Sequence, residues 1–312
     1  MSRDAAVPAR SGSGLLDTIG RNALDLLGYL GGIGILFASA VCALVRPRGT
    51  ALPLRRALDR QLQWLLGTGV PLVGLAHVGM GSFLAMQAFF GATFVEGAGP
   101  VVGLGLVRNV APLLAGILLA GMMAARWVPE LRTVSPMELE SDPTDIPDRD
   151  VARGVVADDR EPPEPARLVL VRVLAAMVAG PVLAIWGAAA GMLVGWSVSV
   201  GVLHVPSPIF FGKFLEMLWL RDALGLTVKP ALFGGVTALI VCHEGLRLRP
   251  DVGVLADADA NAEASTCSLP VAGGRAVCLS TFAILVLNLS WFTLVYLAGP
   301  PFGPTVLAPP SP

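Results

Sequence analysis

Charge is scarce in this sequence. Only 14% of its 312 residues are Asp, Glu, Lys or Arg, against about 25% in an ordinary soluble domain. The deficit is concentrated in charge-free runs at Leu26–Val45, Gln61–Val95, Asn109–Ala125, Val173–Gly212 and Ala276–Pro312. A helix needs about 20 apolar residues to cross a bilayer, and several of these runs supply them. Only helices or a closed barrel satisfy the backbone inside lipid. The runs far exceed the roughly 10-residue alternating strands of a barrel, so the chain reads as an all-α integral membrane protein.

Several signatures of chemistry are missing too. The sequence has no G-x-x-x-x-G-K-[ST] loop for nucleotide phosphates, no G-x-S-x-G and no H-E-x-x-H. Any ATP that drives this protein is therefore hydrolysed by another chain, and the sequence gives no reason to expect an enzyme or a cofactor. The four cysteines, Cys42, Cys242, Cys267 and Cys278, form no C-x-x-C pair and no disulfide framework. Cys242, His243 and Glu244 are consecutive, and consecutive helical residues point about 100° apart, so they do not converge on one metal ion. His77, His204 and His243 stand alone and read as structural. A net charge of −1 points to no nucleic-acid partner.

The charges that are present are unevenly placed. Arg46, Arg48, Arg55, Arg56 and Arg60 precede the second apolar run, Arg126, Arg132, Arg167 and Arg172 flank one loop, and Arg247, Arg249 and Arg275 flank another. Positive residues favour the cytoplasmic side, which puts 46–60, 126–172 and 245–275 inside and 91–98 and 200–227 outside. Residues 1–14 are polar and read as a disordered N-terminus. Firm spans are expected at Trp64–Phe90, Gly99–Ala125, within Leu168–Val200, across Pro230–Cys242 extended back toward Ala223, and at Arg275–Ala298. In the third, Gly187, Gly191 and Gly195 share a helix face and permit close approach of another helix, within the subunit or between subunits. The outer connection carries an amphipathic stretch, Ile209–Leu220. The cytoplasmic insert 130–165 has eleven acidic residues, four basic ones and six prolines, which forbid one continuous helix. The segment 250–274 is expected to be irregular, and 299–312 to be a Pro-rich external tail.

The run Leu26–Val45 has two readings. It is long enough to span, and it also suits an interfacial helix on the cytoplasmic face. Either leaves the Arg46–Arg60 cluster inside. A cleaved signal peptide, suggested by Ala38-Ser39-Ala40, is disfavoured by the long leading segment with Asp17 and Asp25.

One segment identifies the chain better than composition does. Val228–Leu246, VKPALFGGVTALIVCHEGL, resembles the fourth membrane helix and cytoplasmic exit of the MlaE/YrbE-type permeases, the membrane subunits of the Mce and Mla lipid-transporting ABC systems, and is most similar to their actinobacterial branch. PARLVLVRVLAAM at 165–177 looks like that family's entry into its third span. GLGLVRNVAPLLAGILLAG, which begins at Gly103, resembles its Leu-x-Arg-Glu-Leu-Gly-Pro element. Arg108 and Pro112 match, while Asn109 stands where the family has Glu and Ala111 where it has Gly. The resemblance, over about Leu15 to Ala298, implies one permease domain with five membrane helices behind an N-terminal interfacial helix. It implies a partner cytoplasmic ABC ATPase, a second MlaE-type permease (the same chain or a paralogue), extracytoplasmic Mce proteins above, and a lipid or steroid substrate.

Candidate residues follow from both arguments. Counting 1.5 Å per residue from the outer end of its helix places Arg108 about 14 Å deep, near the bilayer midplane, where a charge costs about 2.5–3.5 kcal/mol. In the resembled family this element borders the lipid cavity, so Arg108, with Asn109, is a candidate to attract an anionic or hydroxylated head group. The alternative is a structural hub bonded to backbone carbonyls or to Asn109. Asn288 occupies a position where the family carries Asp or Asn, and either bridges helices or touches substrate. The family's ATPase-coupling element, E-E-I-D-A-M-x-x-x-G-x-x-P, survives only as a remnant at Met137-Glu138-Leu139-Glu140, with Glu130 upstream, and its G-G-P-x-G-V-G loop is replaced by 250–274. These departures motivate a second reading, a degenerate, non-pumping paralogue that scaffolds Mce proteins.

Overall fold

The computed structural model describes residues 13–45, 51–90, 99–133, 165–247 and 258–297. Among them every regular element is a helix. In chain order these are α1 (Ser13–Val45), α2 (Ala51–Phe90), α3 (Ala111–Thr133), α4 (Pro165–Gly201), α5 (Ser207–Met217), α6 (Leu220–Arg247) and α7 (Ala258–Phe292). Two π-helical stretches, Pro100–Leu104 and Leu106–Val110, lead into α3, and a third, Thr293–Leu297, ends α7. Six helices are long and apolar enough to cross a membrane, α1 among them, so length and apolarity do not divide the set into five spans and one interfacial helix. Met137 and Glu138, the interior of the acidic insert, residues 1–12 and the tail 299–312 lie outside the described residues.

The bundle is built around α4 and α6. Their most apolar windows are 61% and 56% buried, against 6% and 11% for α1 and α7. In α4 the only charges, Arg167 and Arg172, sit in its first two turns, and a helix apolar all round belongs in an interior. Gly187, Gly191 and Gly195 settle where that glycine face goes. A β-carbon on Gly81 of α2 would strike the carbonyl of Gly191, and one on Gly187 would lie 2.6 Å from the His77 ring. The glycine face thus packs inside the subunit, against α2. On another side of α4, a β-carbon on Gly180 would strike the carbonyl of Pro230, and one on Gly234 the carbonyl of Ala176. Without a hydrophobic driving force between helices in lipid, such close approach supplies the van der Waals contact that holds them.

Arginines at the helix ends gather at one end of the bundle. There Arg126 lies 4.4 Å above the Trp64 ring and Arg172 5.5 Å from that of Trp127, while Trp127 donates its indole N–H to Gln61 at 3.2 Å. Glu130 accepts from both Arg126 and Arg172, the latter at 2.9 Å. The helix α7 differs from expectation. It starts at Ala258 rather than near Arg275, so the stretch 258–274, with its polar run, is helical. Alanines dominate that run, and their high helix propensity outweighs its polarity.

At the other end the chain turns back through residues 202–206, where His204 takes a left-handed φ of 57°. The short helix α5 then lies across the π-helical segment. Phe210 is fully buried and Phe214 nearly so. A β-carbon on Gly99 or Gly103 would collide with the Phe210 carbonyl or the Phe214 ring. These glycines therefore let the aromatic face of α5 seat directly on the π-helical backbone.

Candidate functional site

Arg108 lies in the second π-helical stretch, and its guanidinium is held through Nε and Nη2. Nε donates to Asp222 Oδ1 and Nη2 to Asp222 Oδ2, each at 2.9 Å, and Nη2 also reaches the Met217 carbonyl at 3.2 Å. This is the two-pronged geometry that makes Arg–carboxylate pairs strong. The Asp222 side chain is completely buried and that of Arg108 is 27% exposed. Asp222 has a second task. Its Oδ2 accepts the Trp219 N–H at 3.0 Å while its own N–H bonds the Trp219 carbonyl at 2.9 Å. A side chain in the first turn reaching back to the residue before the helix is half of a capping box, and its negative charge suits the helix N-terminus. One carboxylate thus starts α6 and ties it to the π-helical segment 114 residues earlier.

The third member is Lys229. It is 98% buried, and its Nζ donates to the main-chain carbonyl of Arg108 at 2.7 Å. In an α-helix that carbonyl would accept the N–H of residue 112, but position 112 is proline and has none. Lys229 supplies a donor that Pro112 lacks. Asp222, paired with Arg108, also carries the negative charge that acts on Lys229.

Arg108 precedes Arg126, and Lys229 precedes Arg247, by eighteen residues each, about 27 Å at 1.5 Å per residue, so the cluster lies toward the end of the bundle opposite these arginines.

The other candidates are placed differently. Asn109 is half-buried beside Arg108 and takes no part in this network, so the hub bonds to a carbonyl and a carboxylate rather than to Asn109. Asn288, on α7, is half-buried, and its Oδ1 is buried without a hydrogen-bond partner. Three residues later the Trp291 indole nitrogen is in the same condition, and it lies 3.6 Å from where a β-carbon of Gly225 would stand. Glu130 is held within the subunit by Arg126 and Arg172. Asp222 escaped the sequence reading. The available signal was a lone arginine, Arg108, between Glu96 and Arg126.

Two histidines have packing roles. His77 is fully buried and its Nδ1 lies 2.7 Å from the Val73 carbonyl. His243 packs edge-on against Tyr29 of α1 at 4.8 Å between centroids, while Glu244 faces Arg275 at 3.3 Å.

The family model of the permease MlaE matches residues 163–294, which comprise α4, α5, α6 and α7 through Asn288 and Trp291. Over that stretch the chain is similar to the MlaE permeases. A probable ABC transporter permease protein of Rickettsia felis is 25% identical over 242 residues, covering 74% of this chain and 83% of that protein. One from Rickettsia bellii is 26% identical over 235 residues with the same coverage. A probable ABC transporter permease protein of a Synechocystis species is 26% identical over 165 residues, 51% of this chain and 54% of that protein. Its apolar helices make the chain a multi-pass membrane protein, and these similarities support a permease subunit. Asp222 and Lys229 both fall inside the matched region, and Arg108 and Pro112 lie before it.

Proposed function

We propose that this chain is an MlaE-type permease, one half of an Mce-type ABC transporter that moves a lipid or steroid through the cytoplasmic membrane. A separate cytoplasmic ATPase powers it, a second MlaE-type permease completes the membrane unit, and Mce proteins stand on the outer side. The observation that carries the reading is the buried Arg108–Asp222–Lys229 cluster, toward the end of the bundle opposite the arginines. Charges in a membrane subunit are costly and mark substrate pathways, and the exposed quarter of Arg108 gives a passing head group a point of contact. The test is lipid uptake by cells carrying Arg108→Ala or Arg108→Glu at normal membrane abundance. The proposal expects uptake to fall at least about tenfold, the loss of one charge-assisted contact; unchanged uptake in both variants refutes it.

In this arrangement five helices, α2, α3 with its π-helical lead, α4, α6 and α7, cross the membrane and α1 lies along its cytoplasmic face. Tyr29 supports this. It sits at the middle of α1 yet meets His243 and Arg247 at the arginine-rich end of α6, and Arg275 of α7 at 5.5 Å. A helix crossing upright with its midpoint at that level would carry one half, about 24 Å, clear of the bilayer. Lying flat buries the apolar surface that α1 exposes, Leu26, Leu27, Leu30, Ile35 and Phe37.

Glu130 serves in this scheme as an anchor for the insert that follows it, not as a free ATPase contact, because its carboxylate is already shared by Arg126 and Arg172. ATPase contact by this subunit then falls to residues after Thr133, Met137 and Glu138 among them. If those make none, the subunit is the non-pumping scaffold.

A further inference from the structure

We propose that α5 is an interfacial helix of the outer leaflet, with its Ile209, Phe211 and Leu215 side against lipid, and that the leaflet thereby holds the π-helical segment 100–110 in place. This needs only the membrane character of the chain and is independent of what the protein transports.

The helix α5 is apolar on both sides. Among its eleven residues only Lys213 and Glu216 are charged, and they bond each other at 3.2 Å. Phe210 and Phe214, one turn apart, form the buried side and are seated on Gly99 and Gly103. The other side carries Ile209, Phe211, Leu215 and Met217, all exposed, Leu215 by 62%. A helix that is apolar all round belongs in an apolar medium. Since the inner side is already packed, that medium has to cover the outer one.

The neighbouring helix identifies the medium as lipid. On α4 the exposed side chains Val178, Val182, Ile185 and Leu193 follow each other along one face, and such a stripe on a spanning helix meets hydrocarbon. Trp196 is the next residue of that face. Its ring lies against Phe211 at 5.9 Å between centroids, and its indole N–H donates to Ser207 Oγ at 3.2 Å. The stripe therefore runs onto the exposed side of α5. A second tryptophan, Trp219, follows the helix, with the Arg221 guanidinium 3.6 Å from its ring. Tryptophans collect where a bilayer meets water, and these two bracket α5. An amphipathic or apolar helix at that level lies in the plane of the interface, and the Lys213–Glu216 pair can reach the head groups along their own stems.

Through its inner side α5 reaches the π-helical backbone. The Phe210 carbonyl and the Phe214 ring stand where β-carbons of Gly99 and Gly103 would be, and the Met217 carbonyl accepts from Arg108 Nη2 at 3.2 Å. The helix is thus a layer between lipid and the π-helical segment, and pulling it off the leaflet loosens that segment.

The experiment uses the full-length protein in nanodiscs of phosphatidylcholine and phosphatidylglycerol. Nitroxide labels at Phe211→Cys and Leu215→Cys, with native cysteines replaced, are compared with one at Leu193→Cys on the stripe of α4. Oxygen, which dissolves in lipid, should collide with the labels at 211 and 215 several-fold more than a water-soluble nickel chelate does, as at 193. More collisions with the chelate than with oxygen would place the face in water and overturn the proposal. Few collisions with either would show a protein cover, a second copy or another chain, and also overturn it. The exposed Leu215 site decides alone if the label at 211 prevents folding. Leu215→Asp tests the hold on the π-helical segment. Amide exchange over 100–110 should rise several-fold in nanodiscs, while Leu215→Val leaves it unchanged. Unchanged exchange in Leu215→Asp, with the oxygen preference present at 211, would overturn the hold.

Discussion

The Lys229 ammonium donates to the main-chain carbonyl of Arg108 at 2.7 Å, standing in for the N–H that Pro112 does not have. The bond joins a side chain of α6 to the backbone of the π-helical segment at the point where that segment becomes α3. A wide helical turn there is also what aims the Arg108 side chain at Asp222. π-Helical turns frequently occur at functional sites.

Restoring the missing donor should release Lys229 from this task. In Pro112→Ala the carbonyl gains a backbone partner, so Lys229→Met should destabilise the protein less in that background than in the native one. Leaving a buried carbonyl unsatisfied costs about 1–3 kcal/mol, and most of that difference should appear as coupling in a double-mutant cycle read by thermal unfolding in detergent.

Breaking the ion pair should cost more. Asp222→Ala strands Arg108 and removes the cap of α6, a loss of about 3–5 kcal/mol for a buried pair. Adding Arg108→Ala should recover part of it, because the uncompensated charge is gone. A double variant as unstable as the sum of the two single ones would contradict the pairing.

The glycine contacts make a sharper contrast. Gly191→Leu should abolish assembly of α2 on α4, since a β-carbon there would lie 2.8 Å from the His77 carbonyl of α2. Gly121→Ala meets nothing within 4 Å and should leave the melting temperature unchanged or raise it slightly, by the roughly 1 kcal/mol helix preference of alanine over glycine. Fluorescence-detected size-exclusion profiles of the two variants separate these outcomes.

The placement of α1 is open to chemical labelling. With native cysteines replaced, Gly20→Cys and Ser39→Cys should both react with an impermeant maleimide from the cytoplasmic side only. Labelling of Gly20→Cys from the outside would make α1 a sixth span.

Much of this arrangement is legible in the sequence. The apolar runs and arginine clusters locate the apolar parts of α2, α3, α4, α6 and α7, because lipid allows the backbone so few choices, although α2 and α7 start 13 and 17 residues before the expected spans. The glycine triplet announces a close contact, though the residues do not say with which helix; the partner, Gly81, lies on α2, over 100 residues earlier. The motif at 228–246 indicates the family. The Arg108–Asp222 pair was hidden for a physical reason. Its members are 114 residues apart, and their meeting depends on the fold of α5 across the π-helical segment, which no local periodicity encodes.

The central claim, that this chain works as a permease subunit of an ATPase-driven lipid transporter, is tested most directly by purifying the tagged full-length chain from its native membrane and identifying its partners by mass spectrometry. The account predicts recovery of an ABC ATPase, a second MlaE-type permease and Mce proteins. Recovery of none of these, under conditions that retain the ATPase on a control permease, would contradict it.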